Sequence, residues 1–187
     1  MIGYAFCGSF CTIGASLRAM RRLVDAGEEV LPIMSDAVWD TDTRFFEKQR
    51  LRSEIRQIAG REIIHTVKDA EPLGPREPLS ALIIAPCTGN TLAKLAHGIT
   101  DTPVTMAAKA HLRTDRPLLV ALASNDAMSQ NLSSVAALLM RKSVYFVPMR
   151  QDDPVAKPHS LVADFELIPE ALSDMRRGRQ MRPLFLG

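Results

Sequence analysis

Short apolar runs alternate with amphipathic stretches along almost the whole chain. The apolar runs predict buried strands, because a strand covered on both faces has no polar side. They lie at residues 2–7, 30–34, 79–85, 118–123 and 144–147. Helical spacing of apolar residues predicts helices at residues 13–24, 46–58, 92–99, 127–139 and 161–177, with Pro169 as a potential breaker of the last one.

This alternation of strands and helices predicts the fold class. Parallel strands need long crossover connections, which are usually helices that cover the faces of the sheet. We therefore expect an α/β protein of three layers (α/β/α), in which a doubly wound, Rossmann-like parallel sheet lies between helices. The 187 residues, 47% of them hydrophobic and 24% charged, are typical of one globular domain spanning residues 1–187.

Charge, hydropathy and cysteine content indicate which partners and which cellular compartment to expect. The net charge of +2 gives no reason to expect nucleic acid as a partner. The longest apolar runs are too short for a membrane span, and no basic segment precedes the first one, so we expect a cytoplasmic protein without a secretory signal. Cys7, Cys11 and Cys87 are then reduced thiols, and the four scattered histidines predict no metal site.

In a doubly wound sheet the ligand lies beyond the carboxyl ends of the strands. The first loop at that edge contains Gly8, Ser9 and Thr12 and leads into a helix whose N-terminus would favour an anion. It matches neither the G-x-G-x-x-G nor the P-loop pattern, so a dinucleotide or a nucleoside triphosphate is not indicated. The alternative is a plain helix cap without a ligand.

The loop at residues 86–91 is more informative, because Thr88, Asn90 and Thr91 cluster at another predicted helix start. Two helix starts that can bind phosphate on one sheet indicate a ligand of the mononucleotide type, with a phosphate and a polar ring. Ser35 follows the second predicted strand at the same edge. For Ser35 and Thr88, capping of a helix is the competing interpretation.

The run APCTGNTLAKLAHGITD at residues 85–101 resembles the signature of the FMN-binding flavoprotein family, which includes phosphopantothenoylcysteine decarboxylase, lantibiotic cysteine decarboxylases and flavin prenyltransferases. Gly8, Ser9, Ser35 and Asn125 fall in register with it, and the resemblance covers residues 2–140. It implies a flavoprotein-type fold, FMN as cofactor, and trimers or higher homo-oligomers with ligand sites between the protomers. The implied FMN-binding residues are Gly8, Ser9, Ser35, Thr88, Asn90 and Thr91.

Four further segments are similar to the dipicolinate-forming branch of this family: KDAEPLGPREPL, MAAKAHLRTDRP, ASNDA and QDDPVAKPHS. That resemblance implies an oxidoreductase component that works with the Rossmann-type, NAD(P)-binding A subunit of dipicolinate synthase during bacterial sporulation. Together they would oxidise a dihydrodipicolinate-type precursor to dipicolinate. A small dicarboxylate substrate calls for cations, and Arg44, Lys109 and Arg113 are predicted on loops or helix starts. A solvated surface charge is the competing interpretation of each, and Asn125, after a buried strand at the ligand edge, is the better candidate.

Other functions within the family fit less well. The decarboxylases carry a Pro-His-Ile motif shortly before the strand at residues 79–85, and this chain has Glu71-Pro72-Leu73-Gly74 there. The prenyltransferases need an Arg/Glu loop that residues 124–128 do not supply. Both activities stay as alternatives, as does a non-catalytic partner that only shapes the A subunit. The proline-rich stretches 71–78 and 151–158 are expected to be loops near the site, or lids.

Overall fold

The computed structural model describes residues 1–74 and 76–187. Pro75, in the first predicted proline-rich stretch, lies outside the described residues. Within the described residues the chain forms one sheet of seven strands in the order β2-β1-β3-β4-β7-β6, with β5 also beside β4. The strands are β1 (Ile2–Phe6), β2 (Val30–Met34), β3 (Ala81–Cys87), β4 (Leu118–Ser124), β5 (Val144–Phe146), β6 (Met149–Arg150) and β7 (Leu161–Ala163).

Strands β1 to β5 pair in parallel, which confirms the doubly wound α/β fold. The strands β6 and β7 are additional: β7 runs antiparallel to the end of β4, and β6 runs antiparallel to β7. The sheet is therefore mixed at one margin. The short β5 pairs with the first half of β4, at residues 118–120, and this leaves the carboxyl end of β4 available for β7.

Helices connect the strands and cover both faces of the sheet. They are α1 (Ile13–Asp25), α2 (Asp36–Asp40), α3 (Lys48–Ala59), α4 (Val67–Ala70), α5 (Gly89–His97), α6 (Pro103–Leu112), α7 (Leu132–Leu139) and α8 (Ile168–Arg176). None of these helices of the described chain is long and apolar enough to cross a bilayer.

Two hydrophobic cores lie on the two faces of the sheet. Successive side chains of a strand point to opposite faces, so Tyr4 and Phe6 of β1 enter one core, with apolar residues of α1, α3 and α8. Ala5 and Cys7 enter the other core, with residues of α5, α6 and α7. This division produces the three predicted layers.

The structure adds the short helices α2 and α4, which the pattern did not predict, and it corrects the predicted helices at three further places. The segment 161–163 is strand β7, and the last helix begins only at Ile168, so that Pro169 lies in its first turn, where proline needs no hydrogen-bond partner. Helix α7 starts at Leu132, five residues later than predicted from Ala127. Helix α6 was not predicted, because its alanine-rich sequence has little contrast between buried and exposed faces.

Candidate functional site

The candidate site lies where the order of the strands reverses. The chain passes from β1 to β2 on one side and then returns to place β3 on the other side of β1. The loops that follow β1 and β3 therefore diverge and leave a crevice at the carboxyl edge of the sheet, the usual ligand position in this architecture.

The loop after β1 is a compact turn that leads into α1. The Ser9 N–H donates to the carbonyl of Cys7 at 2.9 Å, and the Thr12 hydroxyl donates to the carbonyl of Ser9 at 2.9 Å. At Gly8, an added Cβ would meet only ordinary contacts at 3.5 Å, from Ala37 and Phe10. Packing within the chain does not demand glycine at this position, so a close approach of the backbone to a ligand remains its predicted role.

The loop after β3 begins with Thr88, which caps α5. Its hydroxyl accepts the Thr91 N–H at 3.2 Å and donates to the Thr91 hydroxyl at 3.1 Å. The capping interpretation of Thr88 is therefore correct, and the side chain also lines the crevice. The first turn of α5 faces the crevice with its N-terminal end, where the helix dipole favours negative charge.

Gly89 brings the first turn of α5 against the loop that follows β4. A Cβ at Gly89 would lie 2.5 Å from the Ser124 hydroxyl, 2.6 Å from the Asn131 amide nitrogen and 2.8 Å from the Asp126 carboxylate. Asp126 itself accepts hydrogen bonds from the Ser124 hydroxyl and from Asn131 Nδ2, the latter at 2.9 Å. These bonds, with that of Ser124 first, lower the pKa of the Asp126 carboxyl. Sequence reasoning missed this cluster, although Asp126 stands next to the predicted Asn125.

Ser35 follows β2 and is 8% exposed. Its position begins α2, yet its side chain makes no capping hydrogen bond. Within the described part of the chain, the Ser35 hydroxyl has no hydrogen-bond partner at all. A buried hydroxyl without a partner carries a desolvation cost, which a bound ligand can relieve.

Two neighbouring cavities occupy the crevice and share Gly8 and Thr88. The Ser35 cavity has a volume of about 390 Å³ and is also lined by Asn90, Thr91 and Lys94. The Arg44 cavity has a volume of about 550 Å³. Its polar lining consists of Ser9, Cys11, Thr12, Arg44, Ser124, Asn125, Asp152 and Lys157.

Arg44 reaches its cavity from a turn between α2 and α3. The Thr43 hydroxyl accepts the N–H groups of Phe45 and Phe46 at 3.1 and 3.2 Å, which closes the turn. The Arg44 guanidinium lies 4.8 Å from the Phe45 ring centre, and no acidic residue of the described chain forms an ion pair with it. Arg44 is thus a cation available to an anionic ligand.

Lys109 is not part of this crevice. Lys109 lies in the last turn of α6, so its predicted placement on a loop or at a helix start was wrong. Arg113 is the C-terminal cap of the same helix. Together with Arg141, both line a separate cavity of about 360 Å³. Lys109 and Arg113 thus lie apart from the other predicted site residues, which the structure brings together in the crevice: Gly8, Ser9, Ser35, Arg44, Thr88, Asn90, Thr91 and Asn125.

Sequence reasoning also missed Asp152 and Lys157, which line the Arg44 cavity from the loop between β6 and β7. That loop is the second predicted proline-rich stretch, so its place near the site is confirmed. The signal that could have found the two residues is the run QDDPVAKPHS, in which acidic and basic side chains stand close together.

The three cysteines differ in accessibility. Cys7 and Cys87 are buried and Cys11 is exposed at the Arg44 cavity, all three as free thiols. Burial raises the pKa of the Cys7 thiol to about 11 and that of Cys87 well above its ordinary value. Within the described chain, no group of three or more His, Cys, Asp or Glu side chains is placed to hold a metal ion.

Comparison with known proteins is consistent with this geometry. The sequence model of the flavoprotein family matches residues 1–164. The chain is 40% identical over 185 residues to the B subunit of dipicolinate synthase from Bacillus subtilis (strain 168), and the match covers 99% of this chain and 92% of that protein.

Solved structures agree with the sequence comparison. The crystal structure of the dipicolinate synthase B subunit from Bacillus halodurans C superposes with a TM-score of 0.91 at 40% identity, over 100% of this chain and 95% of that one. The FMN-dependent cysteine decarboxylase SpaF has a TM-score of 0.68 at 22% identity, over 93% of this chain and 95% of the other. At that identity the similarity to SpaF concerns the fold.

Proposed function

The chain belongs to the flavoprotein family, and we propose that it acts as the B subunit of a dipicolinate synthase. With an A subunit it would oxidise a dihydrodipicolinate-type precursor to dipicolinate during spore formation. The observation that carries this proposal is the 40% identity over 99% of the chain to a protein named as the B subunit of dipicolinate synthase. The Arg44 cavity at the sheet edge supports it, because its free cation suits a carboxylate substrate.

Oxidation of the dihydropyridine ring removes one hydride and one proton and leaves both carboxylates unchanged. In the proposal, a nicotinamide cofactor, NAD(P), held by the A subunit would supply the hydride acceptor, and the proton would leave to solvent. Arg44 would bind a substrate carboxylate, and Asn125, exposed at the end of β4, would orient the ring by hydrogen bonding. The contribution of this chain is then the positioning and electrostatic stabilisation of the substrate.

FMN is the second ligand that we propose, in the Ser35 cavity and the adjoining part of the crevice. A flavin, when bound, supplies a hydride acceptor. The residues fit such a group: the Ser35 hydroxyl is buried without a partner in the described chain, and the N-terminus of α5 favours a phosphate. Ser35, Asn90 and Thr91 would hold the phosphate and ribityl chain, while Gly8, Ser9 and Thr88 would lie along the remainder of the ligand.

The decarboxylase alternative has less support, because no histidine of the described chain lines either cavity. His65, the histidine nearest in sequence to the decarboxylase motif, stacks on Trp39 at 3.7 Å between ring centres. A cysteine-containing peptide offered as substrate is expected to remain intact. Loss of carbon dioxide from such a peptide would favour the alternative.

The deciding experiment is reconstitution with a candidate A subunit. The complete mixture of both chains, cyclic precursor and nicotinamide cofactor should form dipicolinate, and omission of this chain should abolish it. Asn90→Ala in this chain should remove the activity and leave the complex of the two chains intact. An Asn90→Ala complex of unchanged activity would instead indicate the non-catalytic role, in which this chain only shapes the A subunit.

A further inference from the structure

We propose that Lys157 is a specificity residue that binds the second carboxylate of the substrate, while Arg44 binds the first. This inference rests on the proposed function and assigns the dicarboxylate selectivity to a residue of the loop 151–158, which was predicted near the site without a role for any of its side chains. Lys157 and Arg44 come from segments more than one hundred residues apart and line the same cavity.

The loop between β6 and β7 holds Lys157 in a defined place. Its ends are fixed by the antiparallel pairing of β6 with β7 and of β7 with the end of β4. Inside the loop, the Gln151 amide donates to the carbonyl of Pro158 at 2.9 Å, and the Ala156 N–H donates to the Asp153 carboxylate at 2.8 Å. The Met128 N–H donates to the carbonyl of His159 at 2.9 Å, which ties the loop to the turn after β4.

Asp152 and Ser160 set the direction of the Lys157 side chain. The Lys157 ammonium donates to the Asp152 carboxylate at 2.7 Å. The Ser160 hydroxyl, fully buried, donates to the other oxygen of the same carboxylate and so prevents it from turning away. A lysine ammonium has three hydrogen-bond donors, so the bond to Asp152 leaves donors for a ligand.

The two cations that line the Arg44 cavity offer one hydrogen-bonding partner for each carboxylate of a dicarboxylate. Arg44 and Lys157 are its two cations, and Asp152 is the one acidic residue among the described side chains that line it. Asp152 is already paired with Lys157, whereas Arg44 has no acidic partner in the described chain. A substrate with two carboxylates can engage both cations, and a substrate with one carboxylate leaves one of them without an added partner.

An ion pair confined to the surface is the competing explanation for Lys157. Exposed ion pairs contribute little to stability. This explanation therefore predicts that removal of the lysine changes the conformation of the loop at most and leaves ligand binding unchanged. The two explanations differ in ligand binding. The informative measurements are therefore the KM, the kcat and the preference for two carboxylates over one.

The test uses the reconstituted complex of both chains and compares three variants. Lys157→Met removes the charge, Lys157→Arg keeps it, and Lys142→Met is the control at an exposed lysine outside the cavity. In Lys157→Met we expect the KM for the precursor to rise about tenfold, since one charged hydrogen bond is lost, with a smaller change in kcat. Inhibition by dipicolinate should weaken by a similar factor, and inhibition by picolinate, which has one carboxylate, should change less. Lys157→Arg should restore most of the affinity, and Lys142→Met should behave like the wild type.

Alkylation of Cys11, which lines the same cavity, provides a readout that is independent of catalysis. Dipicolinate should slow the alkylation in the wild-type chain and fail to do so in Lys157→Met at the same concentration. If the wild-type complex forms dipicolinate and Lys157→Met keeps the wild-type KM and selectivity, the role of Lys157 is wrong and the proposed function stands. If the wild-type complex is inactive, the proposed function fails, and Cys11 protection alone decides whether Lys157 binds a carboxylate.

Discussion

At the scale of single residues, Ser35 gives the sharpest test of cofactor binding. Its hydroxyl is buried and without a partner in the described chain. Ser35→Ala should therefore leave the free energy of unfolding unchanged or raise it slightly, because an unsatisfied polar group disappears. FMN affinity should fall about fivefold to tenfold if the hydroxyl binds the ligand, since a charge-assisted hydrogen bond is lost.

Fluorescence titration with FMN and chemical denaturation measure the two effects of Ser35→Ala separately. Ser173→Ala, at an exposed position on α8, is the matched control: it should leave FMN affinity unchanged and raise the free energy of unfolding by at most about 0.5 kcal/mol, through the helix propensity of alanine. Equal FMN affinity in the wild type and Ser35→Ala would remove Ser35 from the ligand site. A large loss of stability would show that its hydroxyl has a structural role.

His111 gives a prediction on pH. The side chain is fully buried, and its Nε2 lies 2.9 Å from the carbonyl oxygen of Pro117. Because a carbonyl oxygen can only accept a hydrogen bond, Nε2 carries the proton. The other ring nitrogen, Nδ1, has no hydrogen-bond partner in the described chain. Burial lowers the pKa of His111 below its ordinary 6.5, because a proton on Nδ1 would place a charge in the core. Well above pH 6.5 the imidazole is neutral in the folded and unfolded states, and it does not affect stability.

As the pH falls below 6.5, the unfolded chain takes up the His111 proton before the folded chain does. The free energy of unfolding then declines, by at most about 1.4 kcal/mol per pH unit for one proton, until the folded imidazole is also protonated. Denaturation between pH 7 and pH 5 should show this decline in the wild type and in His97→Gln, and a flatter profile in His111→Gln. Parallel profiles in all three proteins would contradict the assignment to His111.

At the scale of elements, Gly89 joins α5 to the loop after β4. Gly89→Ala would favour the helix by about 1 kcal/mol through propensity. The new Cβ would, however, lie 2.5–2.8 Å from polar atoms of Ser124, Asn131 and Asp126, so that loop must move. Because three neighbours must shift at once, we expect the clash to prevail and to destabilise the protein by about 1–3 kcal/mol.

Gly14→Ala is the matched control for Gly89→Ala, because it also lies in a helix, α1, but an added Cβ there meets only Arg18 at 3.9 Å. It should be neutral or stabilising by up to about 1 kcal/mol. Thermal and chemical denaturation compare the two variants. If Gly89→Ala is as stable as Gly14→Ala, the side chains of Ser124, Asn131 and Asp126 can move aside without a loss of folding free energy.

The same scale shows which elements a sequence can predict. Strands β1 to β5 were predictable, because burial on both faces gives continuous apolar runs. Strand β6 has only two residues, too few for a pattern, and the three residues of β7 were assigned to the start of the last helix. Helix α6 buries several alanines and His111 and shows no polar face to set it apart.

The candidate site was predictable where it depends on topology. Side chains after β1, β2, β3 and β4 meet at one edge because parallel strands end there, and all predicted site residues except Lys109 and Arg113 lie in the crevice. Lys109 was misplaced because α6 went unrecognised. Lys157 was missed because its loop reaches the edge through the antiparallel pair β6–β7.

At the scale of the whole molecule, we propose that residues 1–187 form one flavoprotein-like domain. The matched family region ends at residue 164, yet Ile168 and Leu172 of α8 belong to the same core as Tyr4 and Phe6. The described residues therefore form one unit, in which the crevice is open at the sheet edge. Ligands at an open sheet edge bind weakly unless something excludes water, so another chain is the expected cover.

An open crevice predicts that the protein assembles with further chains. Native mass spectrometry of the isolated chain should detect trimers or larger homo-oligomers, and addition of the A subunit should give a heavier complex. The apolar side chains that need cover are on the surface: Met140 is 85% exposed and Phe45, which lines the Arg44 cavity, 50%. Dilution should dissociate the assembly and release FMN in parallel if contacts between protomers complete the site. A monomer that retains FMN at all concentrations would show that one chain is sufficient for the cofactor, and the need for a second chain would then concern the substrate alone.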